Sequence, residues 1–260
     1  MIPKIIHYCW FGGNPLPELA QKCINSWKKY CPEYEIIQWN ESNYDISLAP
    51  LYVQQAYSAR KWAFVTDYVR LQVVFENGGI YLDTDVEIKK CLDPFLENPA
   101  FFGLEEEQSG VFVATGLGFG AQKNCDVLDR MMADYRDIPF IHEDGSFDQT
   151  TCPVRNTTAL LPLGLVRENR NQTLEGNIAI FSSEYFCPKS YSDGKIYQTK
   201  NTYTVHHFSG SWHTKEQAER KNARWKEERR RQRKHLPFAV VRKLLGVSRY
   251  EKIRAKLKGR

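Results

Sequence analysis

The apolar positions near the amino terminus follow a strand, helix, strand order. Residues 2–12, IPKIIHYCWFG, have the composition of a strand and run into a Gly-Gly turn. In residues 16–32 the apolar positions recur at helical spacing up to a proline, and residues 34–40, YEIIQWN, again predict a strand. This order is typical of an open α/β sheet, in which ligands bind at the carboxyl ends of the strands, here near Trp10 and Gly12.

A second apolar run predicts a long helix followed at once by a short strand. Residues 57–77, YSARKWAFVTDYVRLQVVFEN, are closed by a Gly-Gly pair, as helices commonly are. The strand formers IYL come next and end at Asp83 and Asp85. Because a strand alternates its faces, we expect both carboxylates on one face, where they repel each other unless a cation, hydrogen-bond donors or solvent relieve them.

The rest of the chain predicts one domain and a tail. Strand-like segments lie at 100–106, 111–121, 177–188 and 201–208, a helix is expected at about 125–135, and 147–161 reads as a loop leading into a further element. No repeat or linker precedes about residue 214. We therefore predict an α/β domain over residues 1–214 and a separate segment over residues 215–260.

Composition indicates a globular protein of a reducing compartment. The 260 residues are 42% hydrophobic and include 14 Tyr and 14 Phe, which argues against disorder. The 7 cysteines are scattered without a C-x-x-C pair, so we expect free thiols and neither a disulfide framework nor a zinc site. The first residues do not form a signal peptide, since Lys4 and His7 interrupt a short apolar stretch. We expect a cytoplasmic protein, or one on a membrane surface that faces the cytosol.

The net charge of +5 is unevenly distributed. Residues 215–260 hold 18 Lys and Arg and 5 Asp and Glu, a net charge of +13, which leaves −8 on residues 1–214. An acidic body repels phosphate backbones, and no nucleic-acid-binding signature is present, so nucleic acid is not an expected partner. After Pro237 the apolar positions recur at helical spacing between basic residues, which predicts an amphipathic helix on an anionic membrane. The alternative is a helix packed on the acidic body.

Several polar residues are candidates for chemistry. Asp67 and Arg70 share a helix face within the apolar stretch AFVTDYVRLQVV, so they form either a structural ion pair or part of a cleft. In residues 206–212, HHFSGSW, the two histidines end a strand and point to opposite faces, so only one can join a given site. A structural role is preferred for His206. The EEE run at 105–107 reads as a solvated strand end.

Three of these segments resemble one enzyme family. Residues 58–88, which contain the Asp-x-Asp motif, resemble the corresponding region of glycosyltransferase family 32, which is similar to the glucosylating domains of large clostridial toxins. The opening IPKIIHYCWFGG and the closing HHFSGSW resemble that family's two ends, so the resemblance spans residues 1 to about 213. It implies a GT-A fold, with a Rossmann-like mixed sheet flanked by helices, and a retaining, nucleotide-sugar-dependent hexosyltransferase.

The resemblance also implies roles for individual residues. It assigns a metal site to Asp83, Asp85 and His207, donor-sugar contacts to Asp67 and Arg70, base stacking to Trp10 and a position near the diphosphate to Trp212. The toxins have an acid where His207 stands, and relatives often have Thr-Gly-Pro where this chain has Thr151-Cys152-Pro153. Oxygen ligands with one imidazole suit Mn²⁺, or else Mg²⁺.

Retention of configuration lacks an evident carboxylate nucleophile in the sequence. Asp148 and Gln149 are therefore candidates to support attack from the same face of the sugar, with an ordinary polar loop as the alternative.

The expected reaction is hexose transfer, more readily from a UDP-sugar than from GDP-mannose, to a glycan or a lipid-linked oligosaccharide. By analogy this occurs in bacterial capsule or lipopolysaccharide synthesis, on the inner face of the plasma membrane. The alternatives are a toxin-like enzyme that glycosylates a protein and a nucleic-acid-binding protein that uses the basic tail.

Overall fold

A computed structural model of the chain describes residues 1–107, 109–190, 192–210, 216, 219–220 and 222–231. The strands are β1 (Ile5–Cys9), β2 (Glu35–Trp39), β3 (Gly79–Tyr81), β4 (Val86–Ile88), β5 (Ala100–Glu107), β6 (Gly110–Val113), β7 (Phe119–Ala121), β8 (Gln172–Leu174), β9 (Ile178–Phe181) and β10 (Thr204–His206). The helices are α1 (Glu18–Tyr30), α2 (Leu51–Ser58), α3 (Trp62–Asn77), α4 (Asp126–Arg136), α5 (Cys152–Leu160) and α6 (Ser183–Phe186).

Eight of these strands form one mixed sheet in the order β2-β1-β3-β7-β5-β9-β8, with β6 paired to β5. Strand β1 is parallel to β2 and β3, whereas β7 runs antiparallel to both β3 and β5. Strands β4 and β10 form a separate antiparallel pair. The α/β class and the mixed sheet flanked by helices are confirmed.

The sheet separates two apolar cores. On one face, α3 packs against β1, α2 and α4, and its residues Val65, Val69 and Val73 are buried. The other core contains α1, whose Trp27 is fully buried and donates its indole N–H to the Val86 carbonyl at 2.7 Å. That hydrogen bond fixes the start of β4, directly after the Asp-x-Asp motif.

The predicted helix of residues 57–77 is two helices in the structure. Helix α2 ends at Ser58 and α3 begins at Trp62, and Arg60 between them has a φ of 55°. A left-handed residue stops an α-helix, and apolar periodicity does not reveal it. The break lets the Trp62 ring pack under Gly12, where a Cβ would lie 2.8 Å from the ring.

The segment of residues 147–161 was expected to be a loop, but most of it is α5, Cys152–Leu160. Its Pro153 lies in the first turn, where a missing N–H costs nothing. Asn156 and Thr157, which usually favour loops, are buried there: Asn156 Nδ2 donates to Thr115 Oγ1 at 3.0 Å, and Thr157 Oγ1 accepts from Val113 N at 2.9 Å. Tertiary contacts thus override a weak helix propensity.

The contacts divide the chain into two units, Met1–Tyr191 with Lys195–Trp212, and Ser192–Gly194 with His213–Arg260. In the second unit, residues 222–231 are helical and mostly exposed. Trp225 is an exception at 8% exposure, because its ring packs on Gly194, and Arg229 Nη1 donates to the Asp193 carbonyl at 2.8 Å. The amphipathic helix predicted after Pro237 lies outside the described residues. Within the described part of the chain, no helix combines the length and apolar character needed to cross a membrane.

Candidate active site

The two aspartates of the Asp-x-Asp motif lie in a turn between two strands. Strand β3 ends at Tyr81, β4 begins at Val86, and the Val86 N–H closes the turn by donating to the Asp83 carbonyl at 3.0 Å. The expectation that a strand places both carboxylates on one face is therefore wrong in its mechanism. It is the turn that brings Asp83 and Asp85 together.

Asp83 is held from three sides. Tyr81 donates its hydroxyl to Asp83 Oδ1 at 3.0 Å, and Arg70 Nη2 lies 3.5 Å from the same oxygen. Gly116 abuts the other oxygen so closely that a Cβ there would collide with it. Burial raises the pKa of Asp83 even though the charge of Arg70 opposes the shift. A bound cation would relieve this strain on the ionised carboxylate.

Asp85 is held by the chain that follows β10. Its Oδ2 accepts from the Ser209 N–H at 2.7 Å, and its Oδ1 lies 3.2 Å from His206 Nε2. Burial alone would raise the pKa of Asp85, but His206 and the Ser209 N–H together hold it below its usual range. Asp85 therefore stays ionised over the whole physiological range.

The structure brings His206, rather than His207, to the two aspartates. Ligand atoms of Asp83, Asp85 and His206 lie within 4.8 Å of one another, whereas His207 Nε2 lies 2.9 Å from Glu87 Oε2. One histidine does face each way, as strand alternation predicts. The choice between them is set by pairing, because His206 lies opposite Val86 in the β4–β10 ladder, next to Asp85. The prediction that His207 joins this site, with His206 structural, is corrected.

Asp67 and Arg70 form a buried ion pair that extends to Asp83. Arg70 Nη2 lies 3.0 Å from Asp67 Oδ1, and the two side chains are 5% and 12% exposed. The guanidinium is fixed further by Thr66, whose carbonyl accepts from Arg70 Nε at 2.9 Å. Burial raises the pKa of Asp67 to about 6, although Arg70 works against the shift. The ion pair is therefore packed within the protein interior, and Arg70 also contacts Asp83 in the Asp-x-Asp turn.

Helix α5 begins at this pair. The Cys152 thiol is buried, with its sulfur 3.9 Å from Arg70 Nη1 and 3.8 Å from Thr115 Oγ1. This departure from the Thr-Gly-Pro pattern therefore places a side chain against the guanidinium. Residues 148–151 directly precede α5, so the contact between Cys152 and Arg70 brings this loop close to the Asp-x-Asp turn.

The loop candidates for supporting retention differ in their surroundings. Asp148 is buried, paired with Arg155, and accepts the Thr150 N–H at 2.7 Å. A carboxylate with these partners is not a free nucleophile. Gln149 is exposed, so its side chain is available to a ligand.

Trp10 follows β1 directly and contacts the glycine turn, which lines an open cleft. Its indole N–H donates to the Asn14 carbonyl at 2.6 Å and so shapes the glycine turn. The cleft has a volume of about 820 Å³ and is lined by Gly12, Gly13, Asn14, Glu41, Tyr57, Ser58, Arg60 and Trp62. Glu41 accepts from the Gly12 N–H at 2.7 Å. The cleft lies where the α/β order predicted a ligand, and Trp212, the other predicted aromatic, lies outside the described residues.

Sequence reasoning missed Glu105. The EEE run was expected to be a solvated strand end, but Glu105 is 6% exposed, and burial raises its pKa to about 7. Strand alternation offered no signal for this, because residues 100–105 of β5 are all buried and only Glu106 beyond them is exposed.

One protein-family model matches part of the chain. Residues 17–102 match the model of a glycosyltransferase sugar-binding region containing a DXD motif. The matched stretch includes Asp67, Arg70, Asp83 and Asp85. This match agrees with the resemblance of the Asp-x-Asp region to glycosyltransferases.

Similar proteins include transferases from fungi and viruses. Inositol phosphoceramide mannosyltransferase 3 of Schizosaccharomyces pombe is 37% identical over 107 residues, 38% of this chain and 29% of the yeast protein. An uncharacterized glycosyltransferase of Acanthamoeba polyphaga mimivirus is 25% identical over 224 residues, 82% of this chain and 84% of the viral one. Among solved structures, the PaToxG glycosyltransferase has a TM-score of 0.47 and 20% identity over 62% of this chain and 69% of that chain. This chain spans less than a third of the yeast protein it matches.

Proposed function

Because residues 17–102 belong to the glycosyltransferase sugar-binding region that contains the DXD motif, we propose that this protein is a metal-dependent glycosyltransferase. It transfers a hexose from a nucleotide sugar to a glycan or a lipid-linked oligosaccharide. One observation carries the proposal: Asp83, Asp85 and His206 converge next to the buried Asp67–Arg70 pair. Carboxylates beside an imidazole suit a cation, and a fixed guanidinium suits a sugar hydroxyl or phosphate.

The residues present fit a divalent cation. The donor set is two carboxylates and one imidazole, and Asp85 is ionised at neutral pH. When bound, the ion neutralises charge on the leaving nucleoside diphosphate as a Lewis acid. Transferases with this motif generally use a divalent metal. Two oxygen donors with one nitrogen favour Mn²⁺, with Mg²⁺ as the alternative.

The remaining residues orient the donor. Arg70 and Asp67 hold the sugar through hydrogen bonds, because their own positions are fixed by burial and by Thr66. Trp10, which follows β1, stacks on the nucleobase, and the role near the diphosphate that the resemblance gives to Trp212 lies outside the described residues. Base stacking contributes about 1–3 kcal/mol, so Trp10→Ala weakens donor binding by roughly tenfold to a hundredfold.

Configuration at the sugar is retained in this proposal. Asp148 is occupied by Arg155, which argues against a covalent intermediate on that residue. Gln149, exposed and three residues before Cys152, is the candidate for supporting attack on the same face. A Gln149→Ala variant then loses transfer while keeping affinity for the nucleoside diphosphate.

The donor is a UDP-sugar in the proposal, with GDP-mannose as the second candidate. GDP-mannose is included because one similar protein is named a mannosyltransferase. Bacterial surface polysaccharide is the proposed product, and a protein acceptor of the toxin type is the alternative.

A panel of nucleotide sugars tests the proposal directly. In a thermal-shift assay with Mn²⁺, the correct donor raises the melting temperature of the wild type, because it binds only the native state. The shift disappears after chelation and in Asp83→Asn. UDP- and GDP-linked sugars form separate arms, which also decides the nucleobase. If no nucleotide sugar stabilises the protein and none is hydrolysed or transferred, the proposal fails.

The basic segment of residues 215–260 places the enzyme on the inner face of the plasma membrane in this proposal. Each basic residue near an anionic leaflet contributes about 1 kcal/mol, so the density of Lys and Arg supports salt-sensitive binding. Vesicle flotation compares the full chain with one that ends at residue 214. If neither protein floats with anionic vesicles at low salt, the segment is not a membrane anchor.

A further inference from the structure

A second group of metal-ligating side chains lies beside the Asp-x-Asp turn. Ligand atoms of Glu105, Cys187 and His206 lie within 4.8 Å of one another. Glu105 and Cys187 are 6% and 5% exposed, and the three residues come from β5, from the end of α6 and from the end of β10. The group is therefore assembled by the fold from distant segments, and His206 belongs to both groups.

The donor atoms of the two groups differ in kind. Asp83 and Asp85 add only hard oxygens to the shared imidazole, whereas the second group adds a thiol and one carboxylate. A thiolate, an imidazole and a carboxylate suit Zn²⁺. Zinc bonds of about 2.0–2.3 Å set tetrahedral ligand atoms about 3.5 Å apart, so the ligand atoms must approach one another by at most about 1.3 Å. We propose that Glu105, Cys187 and His206 form a zinc site distinct from the Asp-x-Asp metal site.

His206 itself provides an independent observation. Its Nε2 lies 3.2 Å from Asp85, but among the described residues its Nδ1 is buried without a hydrogen-bond partner. A buried polar atom without a partner destabilises the fold, and coordination of an ion by the imidazole offsets that destabilisation. Three protein ligands with an open fourth position are enough for zinc. Coordination by Cys187 releases its thiol proton to the solvent.

The shared histidine couples the two sites. A neutral imidazole has one nitrogen with a free lone pair, so His206 ligates one ion at a time. Zinc at Glu105 and Cys187 therefore removes the imidazole from the Asp-x-Asp site. This consequence, inhibition by zinc, rests on the proposed transferase function, while the zinc site itself does not.

Cobalt(II) is the probe that tests the site without any assay of activity. Bound to a thiolate, Co²⁺ gives a charge-transfer band in the near ultraviolet. We expect the band in the wild-type protein, in Asp83→Asn, which alters the other site, and in Cys91→Ser, which removes an exposed thiol. We expect no band in Cys187→Ser. An unchanged band in that variant overturns the proposal.

A second variant covers the case in which Cys187→Ser does not fold. Glu105→Gln keeps the shape of the side chain and leaves the thiol in place. Its Co²⁺ and Zn²⁺ affinities should fall by about tenfold or more, with the melting temperature without metal unchanged or higher. Wild-type affinity for both ions in Glu105→Gln contradicts the site.

The inhibitory consequence is measured separately. In a transfer assay with Mn²⁺, added Zn²⁺ should inhibit the wild type at a concentration about tenfold or more below that needed for Glu105→Gln. Equal sensitivity shows that zinc acts elsewhere, which removes the coupling. If the protein transfers no sugar at all, the proposed function fails, and the cobalt spectrum still decides the zinc site.

Discussion

Two histidines of the α/β domain, the buried His7 and the partly buried His206, have opposite surroundings. His7, in β1, uses both ring nitrogens: Nε2 donates to the Gly78 carbonyl at 2.8 Å, and Nδ1 accepts from Trp39 Nε1 at 3.1 Å. Burial lowers the pKa of His7 to about 4, so it is neutral. His206 faces Asp85, which raises its pKa against the effect of burial, and its Nδ1 lacks a partner among the described residues.

The contrast separates a structural role from a functional one. A buried polar group that is neutral and fully hydrogen-bonded stabilises the fold, and its polar atoms need no ligand to be satisfied. The His206 imidazole lies beside three carboxyl groups, those of Asp83, Asp85 and Glu105, and its Nδ1 has no hydrogen-bond partner among the described residues. The same residue type therefore bonds to Gly78 and Trp39 in β1, and at the end of β10 lies beside acidic side chains with one ring nitrogen unpaired among the described residues.

The largest effect expected is the loss of activity in Asp85→Ala. If Asp85 holds the cation, losing Lewis-acid stabilisation of several kcal/mol lowers transfer by about a thousandfold or more. Glu87→Gln is the matched control, because Glu87 is a carboxylate two residues away that pairs with His207 instead. Transfer rates of both variants, with folding checked by circular dichroism, make the comparison. Full activity of Asp85→Ala in chelator-treated buffer would remove the metal from the mechanism.

Arg70 tests whether a buried ion pair can serve both the fold and the site. Arg70→Ala leaves the buried Asp67 without its cation and removes the same cation from beside the partly buried Asp83, so we expect a loss of stability of about 3–5 kcal/mol. Arg70→Lys keeps the charge but not the planar fork, so it should fold and still lose transfer far more than nucleoside-diphosphate binding. Urea unfolding and calorimetric binding separate the two effects. Wild-type transfer by Arg70→Lys would show that the pair is only structural.

The elements set by local periodicity were predictable, whereas those set by pairing were not. The strand, helix, strand opening was clear because β1 and β2 are short runs of strand-forming residues and α1 buries one face at helical spacing. The choice of His206 over His207 depends on the register of β10 against β4, two segments that are distant in sequence. The scattered cysteines likewise gave no sign of the zinc site proposed above, because Cys187 and Glu105 are distant in sequence and come together only in the fold.

Metal affinity distinguishes the two adjacent histidines. His206→Gln should weaken Mn²⁺ binding by about tenfold or more, because it removes a nitrogen from the donor set. His207→Gln is the matched control, since the His207 side chain pairs with Glu87, and its backbone N–H, which donates to the Asp85 carbonyl at 3.0 Å, is unchanged in the variant. Mn²⁺ titration followed by electron paramagnetic resonance measures both constants without any assay of transfer. A larger loss in His207→Gln would restore the prediction made from the sequence.

His7 gives the smallest effect, a pH dependence of stability with no counterpart in activity. Its folded pKa of about 4 lies below the unfolded value of 6.5, so the unfolded chain binds a proton first as the pH falls. The stabilisation is fully present above pH 6.5 and is lost towards pH 4, amounting to about 1–2 kcal/mol between pH 7 and pH 5. Protonation also costs the Trp39 hydrogen bond, because Nδ1 then becomes a donor.

His7→Gln cannot titrate, so urea unfolding across this range should show a shallower loss of stability in the variant than in the wild type. Other titrating groups are present in both proteins and cancel in the difference. If the unfolding free energies of the two proteins fall in parallel with pH, His7 is not held neutral by the sheet. The comparison with His206 would then no longer include a purely structural histidine.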